Sequence, residues 1–103
     1  EISTTDLTYR QASEAIRIIQ QTSSRNQSLY MHVWFDSPHG PWEIIEPFHR
    51  QYGDKFGDES SIRLKYASMV SSLDFNIGRI LNALSALNLL RDTLVFFTSD
   101  NGP

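Results

Sequence analysis

The stretch that most constrains the fold of this chain is residues 93–103, which read TLVFFTSDNGP. Residues 93–97 are apolar, β-branched and aromatic without alternation, which is typical of a strand buried on both faces of a parallel sheet. The run then breaks into Ser-Asp-Asn-Gly, and the following Gly102 and Pro103 end the strand. The sequence therefore predicts a central strand over residues 93–99 with a polar turn at its carboxyl end.

A carboxylate and a side-chain amide, Asp100 and Asn101, stand next to each other in that turn. In open α/β sheets, ligands bind at the edge formed by the carboxyl ends of the strands. Carboxylate and amide oxygens suit a hard cation such as calcium or magnesium. Because Asp and Asn also form turns routinely, these two residues alone leave a metal site and a plain turn both open.

A second central strand is predicted over residues 29–35, which read LYMHVWF. Residues 36–42 follow it, and their two prolines and one glycine force an irregular loop with His39 at its tip. If the two strands are parallel, His39 leaves the same sheet edge as Asp100. The alternative is a surface histidine in a turn. His32, inside the strand, is interpreted as a hydrogen-bonded core residue without a catalytic role.

Two helices complete the pattern, one at about residues 7–21 and one at about residues 60–87. Thr4, Thr5 and Asp6 are suitable caps for the first helix, and Asn88 is a suitable stop for the second. The second helix carries the strongest periodic pattern and should pack on the sheet through its apolar stripe. Gly78 in its interior indicates close approach of another backbone, since glycine weakens a helix. The apolar stripe comprises Tyr66, Met69, Val70, Leu73, Ile77, Ile80, Leu81, Leu84 and Leu87.

Residues 36–57 form the predicted loop between strand and helix, and they are rich in aromatic residues. These aromatic side chains either pin the loop to the core or, in the case of Trp42, Phe48 and Tyr52, shape a substrate entrance. Strand, loop, helix and strand together predict a right-handed crossover, hence an α/β fold.

Composition excludes several function classes. The net charge of −3 indicates no nucleic-acid or membrane-surface partner. The absence of cysteine excludes a disulfide or a thiol nucleophile within these residues. No apolar run reaches the roughly 18 residues that a membrane span requires. Because the chain lacks an initiator Met and stops just after a candidate site, it is interpreted as an internal segment of a longer protein.

Three of these motifs resemble one family. TLVFFTSDNGP resembles the metal-binding strand of the formylglycine-dependent (type I) sulfatases, a branch of the alkaline-phosphatase-like superfamily. YASMVSSLDFNIGRILNAL resembles the helix before that strand, and Pro-His-x-Pro resembles the segment after the preceding core strand. The sequence of these motifs is most similar to that of the arylsulfatase and N-acetylgalactosamine-6-sulfatase group. The resemblance implies that residues 1–103 are an internal part of a catalytic domain, an α/β sandwich with a mainly parallel central sheet flanked by helices.

The resemblance also implies roles for individual residues. Asp100 and Asn101 would ligate one calcium ion, and His39 would contact the sulfate and protonate the leaving alcohol as a general acid. The family nucleophile is a formylglycine made within a C/S-x-P-x-R motif, which these residues lack, so it is expected upstream of this chain. The substrate would be a carbohydrate or aryl sulfate ester, and the partner of this segment would be the rest of the catalytic domain. The family suggests a lysosomal, secreted or periplasmic protein.

Two other functions stay open. One is another alkaline-phosphatase-like hydrolase, such as a phosphodiesterase or phosphonate hydrolase, which commonly has Asp-His after this strand and binds two transition metals. Asn101 in place of that His favours a single calcium. The other is a non-catalytic sulfatase-like binding protein, which would lack the upstream C/S-x-P-x-R motif. As a sulfatase segment without the nucleophile, the 103-residue chain alone is expected to be inactive.

Overall fold

The computed structural model describes residues 6–102, in which two long helices lie against each other. Helix α1 spans Leu7–Ser24 and so continues past the predicted end at Gln21. Its N-cap is Asp6, whose Oδ1 accepts a hydrogen bond from the backbone N of Thr8 at 3.2 Å. Residues 1–5 and 103, which include the predicted caps Thr4 and Thr5 and the strand-ending Pro103, lie outside the described residues.

Helix α3 spans Ile62–Ala86 and has caps at both ends. The Ser61 side chain accepts a hydrogen bond from Leu64 N at 3.4 Å, which satisfies one of the free N–H groups of the first turn. After the helix, Asn88 adopts φ of 58°, a left-handed conformation that asparagine tolerates and that turns the chain away from the helix axis. The predicted stop at Asn88 therefore corresponds to the observed end.

Residues 36–57, predicted as an irregular loop, contain two short helical elements. A 3-10 helix covers Phe48–Tyr52 and helix α2 covers Gly53–Phe56. Aromatic side chains attach this stretch to α3: the Phe48 and Phe75 rings lie 5.5 Å apart, and the Tyr52 hydroxyl lies 2.7 Å from Ser71 Oγ. These contacts agree with the interpretation that the aromatic residues pin the loop to the core.

The face of α3 that is most deeply buried is not the predicted apolar stripe. The row facing α1 and residue 45 includes Ser68, Ser72 and Asn76, each 0% exposed. On the predicted stripe, Met69 and Leu84 are buried, whereas Tyr66 is 44% exposed. The physical reason is that α3 packs mainly on α1 in the described residues, so no paired sheet covers the stripe.

The predicted strands at residues 29–35 and 93–99 are not paired within residues 6–102, where no strand is assigned. The predicted parallel sheet is therefore not confirmed. A strand is held by hydrogen bonds to its neighbours, and a central strand needs a neighbour on each side. Neither segment has such a neighbour among the described residues. Residues 93–99 are all exposed, with Leu94 at 81% and Phe96 at 84%.

Two smaller expectations also differ from the structure. A Cβ added at Gly78 would meet no atom within 4 Å among the described residues, so the expected close backbone approach is not seen there. His32 is exposed rather than buried in a core, because no strand pairs with its segment among the described residues. Its Nε2 lies within hydrogen-bond distance of the Tyr30 hydroxyl. None of the helices in the described part of the chain has the length and hydropathy needed to cross a membrane.

Candidate functional site

The loop that follows residues 29–35 holds His39 by two short hydrogen bonds. The backbone N–H of His39 donates to the carbonyl of Asp36 at 2.7 Å, which closes a tight turn. Its ring Nδ1 lies 2.7 Å from the carbonyl oxygen of Gly40. A carbonyl oxygen can only accept, so Nδ1 must carry the proton. The ring is thereby oriented with Nε2 free to meet a ligand, and the residue is exposed.

The indole of Trp42 packs back onto this loop. Its Nε1 donates to the carbonyl of Pro38 at 3.1 Å, across the base of the turn. A Cβ added at Gly40 would lie 3.7 Å from the indole ring, so the ring closely covers the backbone next to His39. This internal bracing, together with the prolines on either side of His39, makes the loop rigid without regular secondary structure.

Helix α1 anchors the start of the same loop. Gln11 Nε2 donates to Asp36 Oδ2 at 2.7 Å and to the carbonyl of Trp34 at 3.2 Å. The hydroxyls of Thr8 and Ser37 lie 2.6 Å apart. The sequence did not identify Thr8 and Gln11 as site residues, because a polar residue on an amphipathic helix usually belongs to its solvated face.

Asp100 and Asn101 lie in an exposed turn after residues 93–99. The Ser99 hydroxyl donates to the carbonyl of Asn101 at 2.6 Å, and the Thr98 hydroxyl donates to the carbonyl of Ser99 at 3.2 Å. Within residues 6–102, the bonds that shape the turn therefore use backbone oxygens and hydroxyls, and they do not use the side-chain oxygens of Asp100 and Asn101. This donor set, one carboxylate and one amide, has the chemistry that calcium prefers.

The predicted site residues are not joined to each other in the described structure. Within residues 6–102, no hydrogen bond or ion pair links His39 to Asp100 or Asn101. No three or more His, Cys, Asp or Glu side chains in that range are grouped so as to hold a metal ion. Residues 100 and 101 can therefore supply only part of a calcium site, and their convergence with His39 stays a prediction.

The charged groups with shifted pKa values lie elsewhere on the surface. On α1, the hydrogen bond from Arg17 lowers the pKa of Glu14, and the same contact raises the pKa of Arg17. Before α3, hydrogen bonds from the Ser60 hydroxyl and backbone lower the pKa of Asp58. These groups are exposed and contribute to helix surfaces, so they carry no argument about the candidate site.

Known proteins resemble this chain along nearly its whole length. The family model described as Sulfatase matches residues 3–103. The N-acetylgalactosamine-6-sulfatase of Mus musculus is 31% identical over 97 residues, which cover 94% of this chain and 17% of that protein. The steryl-sulfatase of Mus musculus is 33% identical over 99 residues, covering 93% of this chain and 14% of that protein.

The fold has a counterpart among solved structures. The crystal structure of Ps i-CgsB matches with a TM-score of 0.74 at 20% sequence identity, over 84% of this chain and 19% of that chain. The chain thus spans about a fifth or less of the relatives that it matches. The family match extends over the His39 loop, the long helix and the turn at Asp100, which are the three motifs that carried the resemblance. The chain belongs to the sulfatase family.

Proposed function

We propose that this chain is a segment of a sulfuric ester hydrolase, to which it supplies a general-acid histidine, His39, and two calcium ligands, Asp100 and Asn101. The observation that carries the proposal is the state of the His39 ring within a chain of this family. Its Nδ1 is tied to the Gly40 carbonyl at 2.7 Å, which leaves Nε2 as the one ring nitrogen available to a substrate.

We also propose that residues 29–35 and 93–99 become strands of a mainly parallel sheet in the intact protein. Burial along residues 29–35 supports this proposal, because it alternates with the period of two that a strand shows. Met31, Val33 and Phe35 are half-buried, whereas the residues between them are exposed, with Trp34 at 82%. Such a pairing would bring His39 and Asp100 to the same edge of the sheet.

The turn at residues 100–101 fits a share of a calcium site. Calcium takes six to eight oxygen ligands, so one carboxylate and one amide leave most positions to other groups. Calcium held there would offset negative charge on the oxygens of a bound sulfate as a Lewis acid. The phosphodiesterase alternative commonly has a histidine in place of Asn101, so this chain lacks that imidazole ligand, which disfavours a site for two transition metals.

The ring geometry supports a proton-donating role for His39. When the imidazole is protonated, Nε2–H can donate to the oxygen that joins the alcohol to sulfur. A nucleophile supplied from outside these residues would bond to sulfur as that S–O bond breaks. The proton would pass from Nε2 to the departing oxygen, which would leave as a neutral alcohol. The bond from Nδ1 to the Gly40 carbonyl keeps the ring oriented throughout, because its partner is backbone.

The general-acid role is tested by His39→Ala in the intact protein, measured on sulfate esters whose alcohols differ in leaving-group pKa. Turnover of esters with poor leaving groups should fall by about 10²–10⁴, the usual range for losing a general acid. Esters with good leaving groups should lose less, since they need less protonation. His49→Ala, in the 3-10 helix of the same loop, is the matched control. Equal losses across all leaving groups would leave His39 as a binding residue only.

The metal role is tested by Asp100→Asn, with turnover measured against calcium concentration. Asparagine preserves a turn but removes a charge from the site. The variant should require more calcium for the same turnover, with Asp92→Asn in the preceding 3-10 turn as the control. Superimposable calcium curves would show that Asp100 forms only a turn. Hydrolysis of phosphate diesters in place of sulfate esters would assign the chain to the alternative class.

A further inference from the structure

The loop that carries His39 is attached to α1 through the two residues that begin it. Asp36 receives the Gln11 amide on its carboxylate at 2.7 Å, and Ser37 meets the Thr8 hydroxyl at 2.6 Å. Gln11 also donates to the carbonyl of Trp34 at 3.2 Å, so its amide bridges the end of one segment and the start of the loop. Two successive turns of one helix thus hold positions 34, 36 and 37, which lie shortly before His39.

The position of His39 depends directly on one of these attached residues. The backbone N–H of His39 donates to the carbonyl of Asp36 at 2.7 Å, which is the bond that closes the turn. Asp36 is therefore held by its side chain from α1 and in turn holds the backbone of His39. A displacement of Asp36 would carry the imidazole with it.

Helix α1 can act as a fixed support because it is itself bonded to α3. The second carboxylate oxygen of its N-cap Asp6 accepts a hydrogen bond from the Ser72 hydroxyl at 2.7 Å. On the next turns, Arg79 donates to the carbonyl of Tyr9 at 3.2 Å and to the Ser13 hydroxyl at 2.9 Å. Thr8 is 2% exposed. The support is thus an interior contact between two long helices.

The hydrogen bonds of the Gln11 side chain are only partly satisfied. Its Oε1 atom is buried and has no donor within the described residues, a state that costs stability. Its Nε2 makes both of the bonds to the loop. An apolar side chain would avoid the cost of the unpaired oxygen but would release Asp36.

We infer that Thr8 and Gln11 are positioning residues for the general acid: they act through Ser37 and Asp36 to hold the imidazole of His39 at the leaving oxygen. The inference rests on the proposed function of His39. Misplacement of a catalytic group by about 1 Å can cost roughly 100-fold in rate, so a pair of bonds that fixes its position is sufficient to matter.

The test uses Gln11→Met and Thr8→Val in the intact protein, because both replacements keep the size of the side chain and remove its hydrogen bonds. Turnover of sulfate esters with poor leaving groups should fall by about 10- to 100-fold, the range for a misplaced catalytic group. Turnover of esters with good leaving groups should change by less than about twofold, since they need little protonation. Thr8→Ser retains the hydroxyl and should restore the rate.

Matched controls lie on the same helix, away from the loop. Gln20→Met and Thr22→Val repeat the same chemical changes near the C-terminal end of α1, and they should leave the leaving-group dependence unchanged. Melting temperatures of all variants separate a loss of folding from a loss of positioning. In a His39→Ala background, the Gln11→Met and Thr8→Val replacements should have no further effect on poor leaving groups, since the group that they position is absent.

Failure of this inference is distinguishable from failure of the proposed function. If His39→Ala shows leaving-group dependence but Gln11→Met and Thr8→Val reduce turnover equally for all esters, the two residues only stabilise the fold and the inference is wrong. Full additivity with His39→Ala would also contradict it. If His39→Ala itself shows no leaving-group dependence, the general-acid role is wrong. The inference, which rests on that role, is then wrong as well.

Discussion

The interface between α1 and α3 and the two apolar segments at residues 29–35 and 93–99 distribute their residues in opposite ways. At the interface, polar Ser72 and Asn76 are 0% exposed. In the segments, apolar Trp34 is 82% exposed and Phe96 is 84% exposed. The usual rule places apolar residues inside and leaves polar ones outside. The segments therefore have the composition of a core but are largely exposed. The interface between α1 and α3, in contrast, is already buried.

The difference comes from how each kind of element satisfies its backbone. A helix bonds its own N–H and C=O groups, so α1 and α3 need each other only through side chains. The backbone groups of a strand have no hydrogen-bond partners within the strand and must pair with those of a neighbouring strand. Local sequence therefore favours the two helices, whereas residues 29–35 and 93–99 would need neighbouring strands to form the proposed sheet.

Replacing Phe96 should have the largest effect on stability, and it tests whether residues 93–99 are buried in the intact protein. In the intact protein, Phe96→Ala should lower the free energy of unfolding by about 3–5 kcal/mol, as for an aromatic residue in a core, if residues 93–99 form a central strand. Chemical denaturation of both forms measures the change, with Leu90→Ala in the 3-10 turn before the segment as control. A change under about 0.5 kcal/mol would mean that the segment is exposed there too.

The interface should respond differently, because it is already complete. Asn76 donates to the Ser72 carbonyl at 2.8 Å and accepts from Arg79 Nη1 at 2.8 Å. Asn76→Ala should therefore lower the free energy of unfolding by about 1–3 kcal/mol, because it removes two hydrogen bonds of a buried side chain, one of them to a charged group. Asn82→Ala, exposed on the same helix, should have little effect. Equal effects of the two replacements would show that the buried network contributes no stability.

Gly78 offers a smaller test of whether further chain covers α3. A Cβ at this position meets nothing within 4 Å among the described residues, so Gly78→Ala should stabilise the intact protein by about 1 kcal/mol through helix propensity. Ser85→Ala on the exposed surface of the same helix provides the baseline. A loss of stability would instead show another backbone lying against Gly78, as the sequence predicted.

The smallest effect concerns pH at the entry to α3. Hydrogen bonds from Ser60 lower the pKa of Asp58 below its ordinary value of 3.8, so folding favours the ionised carboxylate. Its contribution to stability is present above that ordinary value and is lost as the pH falls through the lowered one. Asp58→Asn should therefore show a slightly smaller loss of melting temperature between neutral and acidic pH. Ser60→Ala should give the same result, and an unchanged acid dependence in both variants would contradict it.

The parts of the structure that the sequence predicted are those decided by neighbouring residues. Asp6 and Asn88 mark the ends of the two long helices because capping is a local interaction. The family was identified from short motifs for the same reason, and the Sulfatase family match confirms it. The prolines around His39 likewise predicted a loop without regular structure at residues 36–42.

The features that the sequence did not predict depend on tertiary packing between elements that are distant in the chain. Periodicity identified the apolar stripe of α3, but it could not show that α1 covers the row containing Ser72 instead. No sequence pattern identified Gln11, because its side chain hydrogen-bonds Asp36, which lies 25 residues further along the chain. The exposure of His32 was also missed, because its segment was predicted as a central strand and no paired strand covers it among the described residues.

The bonds between α1 and α3 have a consequence for the order in which the molecule forms. Asp6 meets Ser72 across a sequence separation of 66, and Tyr9 meets Arg79 across 70. Closing so long a stretch costs entropy before these contacts can repay it, so docking of the helices should follow the formation of each helix. His39 lies inside the closed stretch and is attached to α1. Its backbone amide, which donates to the Asp36 carbonyl, should exchange more slowly once the helices have docked than before, which hydrogen exchange can measure directly.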